Sequence, residues 1–208
     1  MLDGFQTGAS AELDERGRVM ASADRTAESA GMSRVRAIVF IDIVGSMRLI
    51  AQIGDLDFKK IFTKYLDLVG DVAQKHNGTM IKRIGDAVLL IFNNVGDAIP
   101  FVSQLSNSIA QNQSNDIKNL QLRISLHIGD VLMEPRSYGG EILGSAVNIT
   151  ARLYTLARPD QLIVSHASVN YLPPDQRSLV RQTESSELKG FDGKVEFGRI
   201  DLSELRVT

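Results

Sequence analysis

The chain has 208 residues, 43% hydrophobic and 23% charged, which leaves room for one ordinary domain with a proper core. A net charge of -2 gives no basic footprint, which argues against nonspecific nucleic-acid binding as the main activity. The absence of cysteine excludes disulfide frameworks, thiolate zinc sites and cysteine nucleophiles. No apolar run approaches the ~18 residues that cross a bilayer, so the expectation is a soluble, cytoplasmic protein with neither a membrane nor a nucleic-acid partner.

Residues 1–33 are rich in Ala, Ser, Asp, Glu and Arg and poor in large apolar side chains. They read as a mobile or loosely helical arm ahead of one folded domain at 34–208. From Arg34 the run Val35-Arg36-Ala37-Ile38-Val39-Phe40-Ile41 predicts a buried strand that ends at Asp42. A helix follows from about Asp55 to His76, with Phe58, Ile61, Phe62, Tyr65, Leu68, Val69 and Val72 on one face, and Asn77-Gly78 stops it. Two apolar runs, Thr79 to Ile84 and Ala87 to Phe92, are separated by Gly85-Asp86 alone, the spacing of a tight hairpin. Then come a helix from about Val95 to Gln111, a polar loop from Asn112 to Asn119, and a strand from about Gln121 to Ile128. This order, βαββαβ, is the ferredoxin-like unit, an α+β fold. The remainder predicts a glycine-rich loop at Tyr138-Gly139-Gly140, a helix from about Ser145 to Leu156, a strand from Gln161 to Ser165 and a last strand near Val195 to Ile200.

In that topology Asp42 and Asp86 converge at one edge of an otherwise apolar sheet. Taken singly, Asp42 reads equally well as a cap of the following helix and Asp86 as a turn former. Taken together, two facing oxygen ligands suit Mg²⁺ when a substrate phosphate completes the coordination. A two-metal scheme uses that arrangement to activate an attacking hydroxyl and to neutralise leaving phosphates. The residues alone reach metal-dependent phosphoryl chemistry and leave the substrate open.

Four segments in order carry a resemblance. They are Phe40-Ile41-Asp42-Ile43-Val44-Gly45-Ser46, Ile81-Lys82-Arg83-Ile84-Gly85-Asp86-Ala87, Gly144-Ser145-Ala146-Val147-Asn148-Ile149-Thr150-Ala151-Arg152 and Glu187-Leu188-Lys189-Gly190. From about Arg34 to Ile200 the chain resembles the class III adenylyl and guanylyl cyclase catalytic domains, in particular bacterial stand-alone nucleotidyl cyclases. The resemblance implies a catalytic domain over 34–208 that converts a nucleoside triphosphate into a 3′,5′-cyclic nucleotide and pyrophosphate. It implies Asp42, Ile43 and Asp86 as the metal set for two Mg²⁺ or Mn²⁺ ions per active site. It further implies that Asn148 orients the ribose, that Arg152 stabilises the α-phosphate, and that Lys189 neutralises the β- and γ-phosphates. Asn148 and Arg152 stand four apart on the predicted helix, so both reach from one face. In the family the aspartates and the Lys, Asn and Arg come from different subunits, which implies a homodimer with two sites at its interface.

Base choice stays open between readings. Lys82 matches the lysine that the family uses for adenine, which favours ATP and cyclic AMP. The partner position, usually Asp, Thr or Ser in adenylyl cyclases and Cys in many guanylyl ones, is Glu141 here. Glu141 accepts the adenine amino group in one reading. In the other it pairs with Lys82 or Arg83 and shapes the pocket for CTP or UTP, as in related stand-alone cyclases of bacterial anti-phage signalling; GTP ranks below both. His127 is expected to be structural, His76 and His166 to lie near helix ends, and Asp97 and Asp130 to be loop or cap residues. A diguanylate cyclase would carry a Gly-Gly-Asp/Glu-Glu-Phe turn where this chain has Ile84-Gly85-Asp86-Ala87. A silent homologue would lack a metal aspartate or the arginine, and neither is missing. The arm is expected to contact the dimer partner.

Overall fold

A computed structural model of the chain describes residues 33–133 and 142–206. The element order is β1 (Ser33–Ile43), α1 (Ser46–Ile53), α2 (Asp55–Lys75), β2 (Gly78–Ile84), β3 (Ala87–Phe92), α3 (Val95–Ala110), α4 (Asn115–Lys118) and β4 (Leu122–Met133). It continues with β5 (Ile142–Leu143), α5 (Ser145–Leu153), a 3-10 turn (Tyr154–Leu156), β6 (Gln161–Ser165), α6 (His166–Val169), α7 (Pro174–Arg177), β7 (Arg181–Glu187), β8 (Lys194–Asp201) and α8 (Leu202–Leu205). The strands form one sheet in the order β2-β3-β1-β4-β6-β8-β7, with β5 paired to β4. Each of the first four is antiparallel to its neighbour, which is the expected ferredoxin-like unit, and β4 runs parallel to β6. The predicted arm lies outside the described residues, except that Ser33 already belongs to β1.

Several boundaries differ from the expectation. The polar loop after α3 contains the short helix α4, because Ile117 and Leu120 are buried against the core and draw that segment into a turn. β4 runs on to Met133, since β1 begins at Ser33 and supplies a partner as far as Leu132. The predicted helix after Gly144 ends at Leu153 and tightens into the 3-10 turn. α1 and β7 were not expected; β7 is mostly exposed and polar, so it exists through its pairing with β8 rather than through an apolar period.

The alternation of β1 decides what faces what. Ala37, Val39, Ile41 and Ile43 point into a large core built with α2 and α3. Ile38 and Phe40 point the other way, into a smaller cluster with Leu89, Ile91, Val131 and Ala146. Successive strand residues alternate faces, so Asp42 continues the Ile38–Phe40 row. Helix α5 packs on this second face. Ser125 donates its hydroxyl to the Thr150 carbonyl at 2.8 Å, and Thr150 donates to the Ala146 carbonyl at 2.7 Å. Gly129 makes the close approach feasible: a Cβ there would stand 2.6 Å from that of Ala146.

Candidate active site

Asp42 sits at the end of β1 with 5% of its surface exposed. It caps no helix: the residue at the N-cap of α1 is Gly45, at φ 70° and with no side-chain cap. Asp86 lies in the two-residue turn between β2 and β3, where Gly85 takes φ 64° and absorbs the left-handed conformation. The pairing of β3 with β1 reaches Val88 opposite Ile41, so the hairpin turn arrives beside the end of β1. There Asp86 comes close enough to act on the Asp42 carboxyl through its charge. The convergence expected from the topology is therefore present.

Burial is the largest influence on Asp42 and pushes its carboxyl above the ordinary range; Arg123 opposes that shift and Asp86 adds to it. Arg123 lies directly opposite Asp42 in the β1–β4 register. Its Nε donates to Asp42 Oδ2 at 3.1 Å, and its Nη2 donates to the same oxygen. The guanidinium also lies 5.8 Å from the Tyr154 ring centroid, and Tyr154 stacks on Phe40 at 5.9 Å with 8° between the planes. Below the sheet, Tyr65 is wholly buried, its hydroxyl has no hydrogen-bond partner among the described residues, and burial, with a smaller contribution from Asp42 and Asp86, raises its pKa.

Sequence reading did not single out Arg123, Tyr154 or Tyr65 as site residues. A signal existed for Arg123: a charged side chain inside the predicted strand, flanked by Leu122 and Ile124. Tyr65 was assigned to the apolar face of its helix, where its ring indeed packs against Phe62. Only the fold brings its hydroxyl within electrostatic range of the two aspartates.

Lys82 pairs with Leu89 and so stands on the same sheet face as Asp42. A bulge between Met80 and Lys82 sets this register. Arg83 takes the opposite face and lies 5.3 Å from the Phe62 ring centroid. Asn148 and Arg152 are both exposed on α5, with Arg152 close enough to act on Tyr154. Lys189 is exposed in the turn after β7. Among the described residues, no hydrogen bond or ion pair joins the side chains of Asn148, Arg152 or Lys189 to either aspartate. Glu141 and the Tyr138-Gly139-Gly140 loop lie outside the described residues.

Two hard oxygen donors, one buried and one half-buried at the end of the sheet, fit a divalent cation that takes its other ligands from phosphate and water. No group of three or more His, Cys, Asp or Glu suited to a metal occurs among the described residues. His127 is structural as expected: its Nδ1 is 2.8 Å from Ser165 Oγ, and burial lowers its pKa to about 4. His76 bonds Gln104 at the end of α2, and His166 starts α6. Asp97 lies in the first turn of α3, and Asp130 accepts from Ser33. No helix among the described residues is long and apolar enough to cross a membrane.

A Mycobacterium tuberculosis protein of uncharacterised role is 29% identical over 191 residues, covering 87% of this chain and 35% of its own length. An adenylate cyclase of Streptomyces coelicolor is 24% identical over 151 residues, covering 73% of this chain and 37% of that protein. The chain thus spans about a third of the length of such curated relatives. Among solved structures, a Trypanosoma brucei adenylate cyclase described in its monomeric state superposes with a TM-score of 0.71 at 16% identity, covering 84% of this chain and 92% of that one. The sequence profile of the adenylate and guanylate cyclase catalytic domain matches residues 29–199, and the chain belongs to that family.

Proposed function

We propose that this chain is a nucleotidyl cyclase that converts ATP into 3′,5′-cyclic AMP and pyrophosphate, in the cytoplasm and as a homodimer. The observation that carries the reading is the meeting of the Asp42 and Asp86 carboxyl groups on the sheet face that also presents Lys82. Asp42 and Asp86, with Ile43 beside them, would hold two Mg²⁺ or Mn²⁺ ions. When bound, such ions supply hydroxyl activation and neutralisation of the leaving phosphates. The side chains do the rest by positioning and charge. Arg152 offers a fixed fork of donors to the α-phosphate as negative charge develops. Asn148, one helical turn earlier, orients the ribose so that the 3′-hydroxyl is in line with the α-phosphorus. Lys189 offsets charge on the β- and γ-phosphates, and Lys82 reads the base.

The homodimer follows from the separation of these groups. Asn148, Arg152 and Lys189 are exposed, and none contacts the carboxylate pair of its own chain among the described residues. An isologous pair brings each set to its complement and makes two sites.

Glu141 supports a second reading. A carboxylate where adenylyl cyclases usually carry a shorter acceptor suits a pyrimidine triphosphate, with cyclic CMP or UMP as an anti-phage signal. Incubation of the purified chain with each of the four nucleoside triphosphates and Mn²⁺ or Mg²⁺ separates the two. Cyclic AMP from ATP, abolished in Asp42→Ala and Asp86→Ala proteins that keep their fold, is the expected result. Activity on CTP or UTP alone overturns the ATP assignment, and no cyclic product from any nucleotide overturns the enzyme reading.

A further inference from the structure

The carboxylate that the proposed chemistry assigns to metal is already in use. Both Nε and Nη2 of Arg123 converge on one oxygen, Asp42 Oδ2. An oxygen that accepts two charge-assisted hydrogen bonds has its lone pairs committed, so while Arg123 is in place a divalent cation finds only Oδ1 of Asp42 open, and full use of the carboxylate requires the guanidinium to yield. We propose that Arg123 is the resident counter-ion of the carboxylate pair and competes with divalent cations for Asp42, so that it sets how tightly the nucleotide-free protein holds metal.

The geometry favours this over a merely structural ion pair in three ways. First, the pair is asymmetric: the Arg123 side chain is 33% exposed and that of Asp42 is 7% exposed, so the guanidinium can withdraw toward solvent while the carboxylate stays in place. Second, the withdrawn guanidinium has a surface to rest on. The Tyr154 ring already lies 5.8 Å from it and is braced by Phe40, and a guanidinium over an aromatic face remains stabilised. Third, a cation at Asp42 offsets the charge of the carboxylate pair. Asp42 is buried near Asp86, and no lysine or histidine bonds Asp42 among the described residues. Without either Arg123 or a metal, the buried Asp42 carboxylate would stand near the half-buried Asp86 with no cation to offset it. Arginine suits the task because it stays charged at every relevant pH. Arg123 is thus a positioning residue: it holds Asp42 ready in the empty protein and must yield when metal binds.

The proposal rests on the reading of Asp42 and Asp86 as a metal site, so the test separates the two. Mn²⁺ binding to the full nucleotide-free chain is measured by titration calorimetry at pH 8 for the wild type, Arg123→Met, Arg123→Lys and Asp42→Asn. Arg123→Met is expected to bind Mn²⁺ about tenfold more tightly than wild type, because the displaced competitor is a charge-assisted donor pair. Arg123→Lys, which keeps the charge, is expected to stay nearer the wild type. Equal or weaker binding by Arg123→Met, with binding still lost in Asp42→Asn, overturns this proposal and leaves the metal site standing. No Mn²⁺ binding by either wild type or Arg123→Met overturns both. Should Arg123→Met not fold, the Arg123 Nε–H resonance of the wild type during a Mg²⁺ titration decides the matter: a shift that saturates with metal supports the competition, and an unmoved resonance overturns it.

Discussion

Gly129→Ala would put a methyl carbon 2.6 Å from the Ala146 Cβ and 3.7 Å from its Cα, at the point where β4 supports the first turn of α5. Carbon atoms in good contact lie about 3.5–4.0 Å apart, so α5 must retreat by roughly 1 Å. Overpacking of this kind costs about 1–3 kcal/mol. The retreat also carries Asn148 and Arg152 with it, and a misplacement of about 1 Å in groups that position a reacting centre can cost ~10²-fold in rate. Urea unfolding and cyclase turnover measured on the same preparation test both consequences. Ala146→Gly should restore much of each in the double variant, less roughly 1 kcal/mol for glycine in a helix. Wild-type stability and turnover in Gly129→Ala, or a double variant no better than the single one, would refute the claim that this contact sets the height of α5 above the sheet.

Asp42→Asn and Arg152→Ala should each be inactive alone, yet their mixture should recover about a quarter of wild-type turnover, since half the dimers are mixed and each of those holds one intact site. Turnover that never rises on mixing counts against sites shared between subunits. Tyr65→Phe removes a buried hydroxyl with no hydrogen-bond partner among the described residues, so metal-free protein should gain about 1 kcal/mol by chemical denaturation; a clear loss would mean that the hydroxyl is satisfied. His127 has its pKa lowered by burial from 6.5 to about 4, so the folded state favours the neutral ring. The stability this provides is complete above pH 6.5 and is lost as pH falls toward 4, by roughly 3 kcal/mol. His127→Gln should flatten that part of the pH profile, and an unchanged slope would refute the assignment.

Much of the architecture was legible from residue order alone. The β-branched run before Asp42, the amphipathic face between Asp55 and His76, and the two apolar runs around Gly85-Asp86 each specify a local conformation through side-chain period and turn chemistry. Their sequence then leaves the ferredoxin-like unit as the economical arrangement. Elements without an apolar signature escaped. β7 is polar and exposed and exists through its ladder with β8, while α4 depends on Ile117 and Leu120 finding a core made by distant segments. Chain order therefore determined the two aspartates and their approach, because a strand end and an adjacent hairpin turn are local features joined by one pairing. Tertiary structure decided their surroundings. Arg123 is 81 residues from Asp42 along the chain and opposes it only through the β1–β4 register. Tyr154 and Tyr65 reach the site from two different helical segments on opposite faces of the sheet. Such contacts depend on the register of paired strands and on which face each side chain takes, and neither is encoded within any short stretch of sequence.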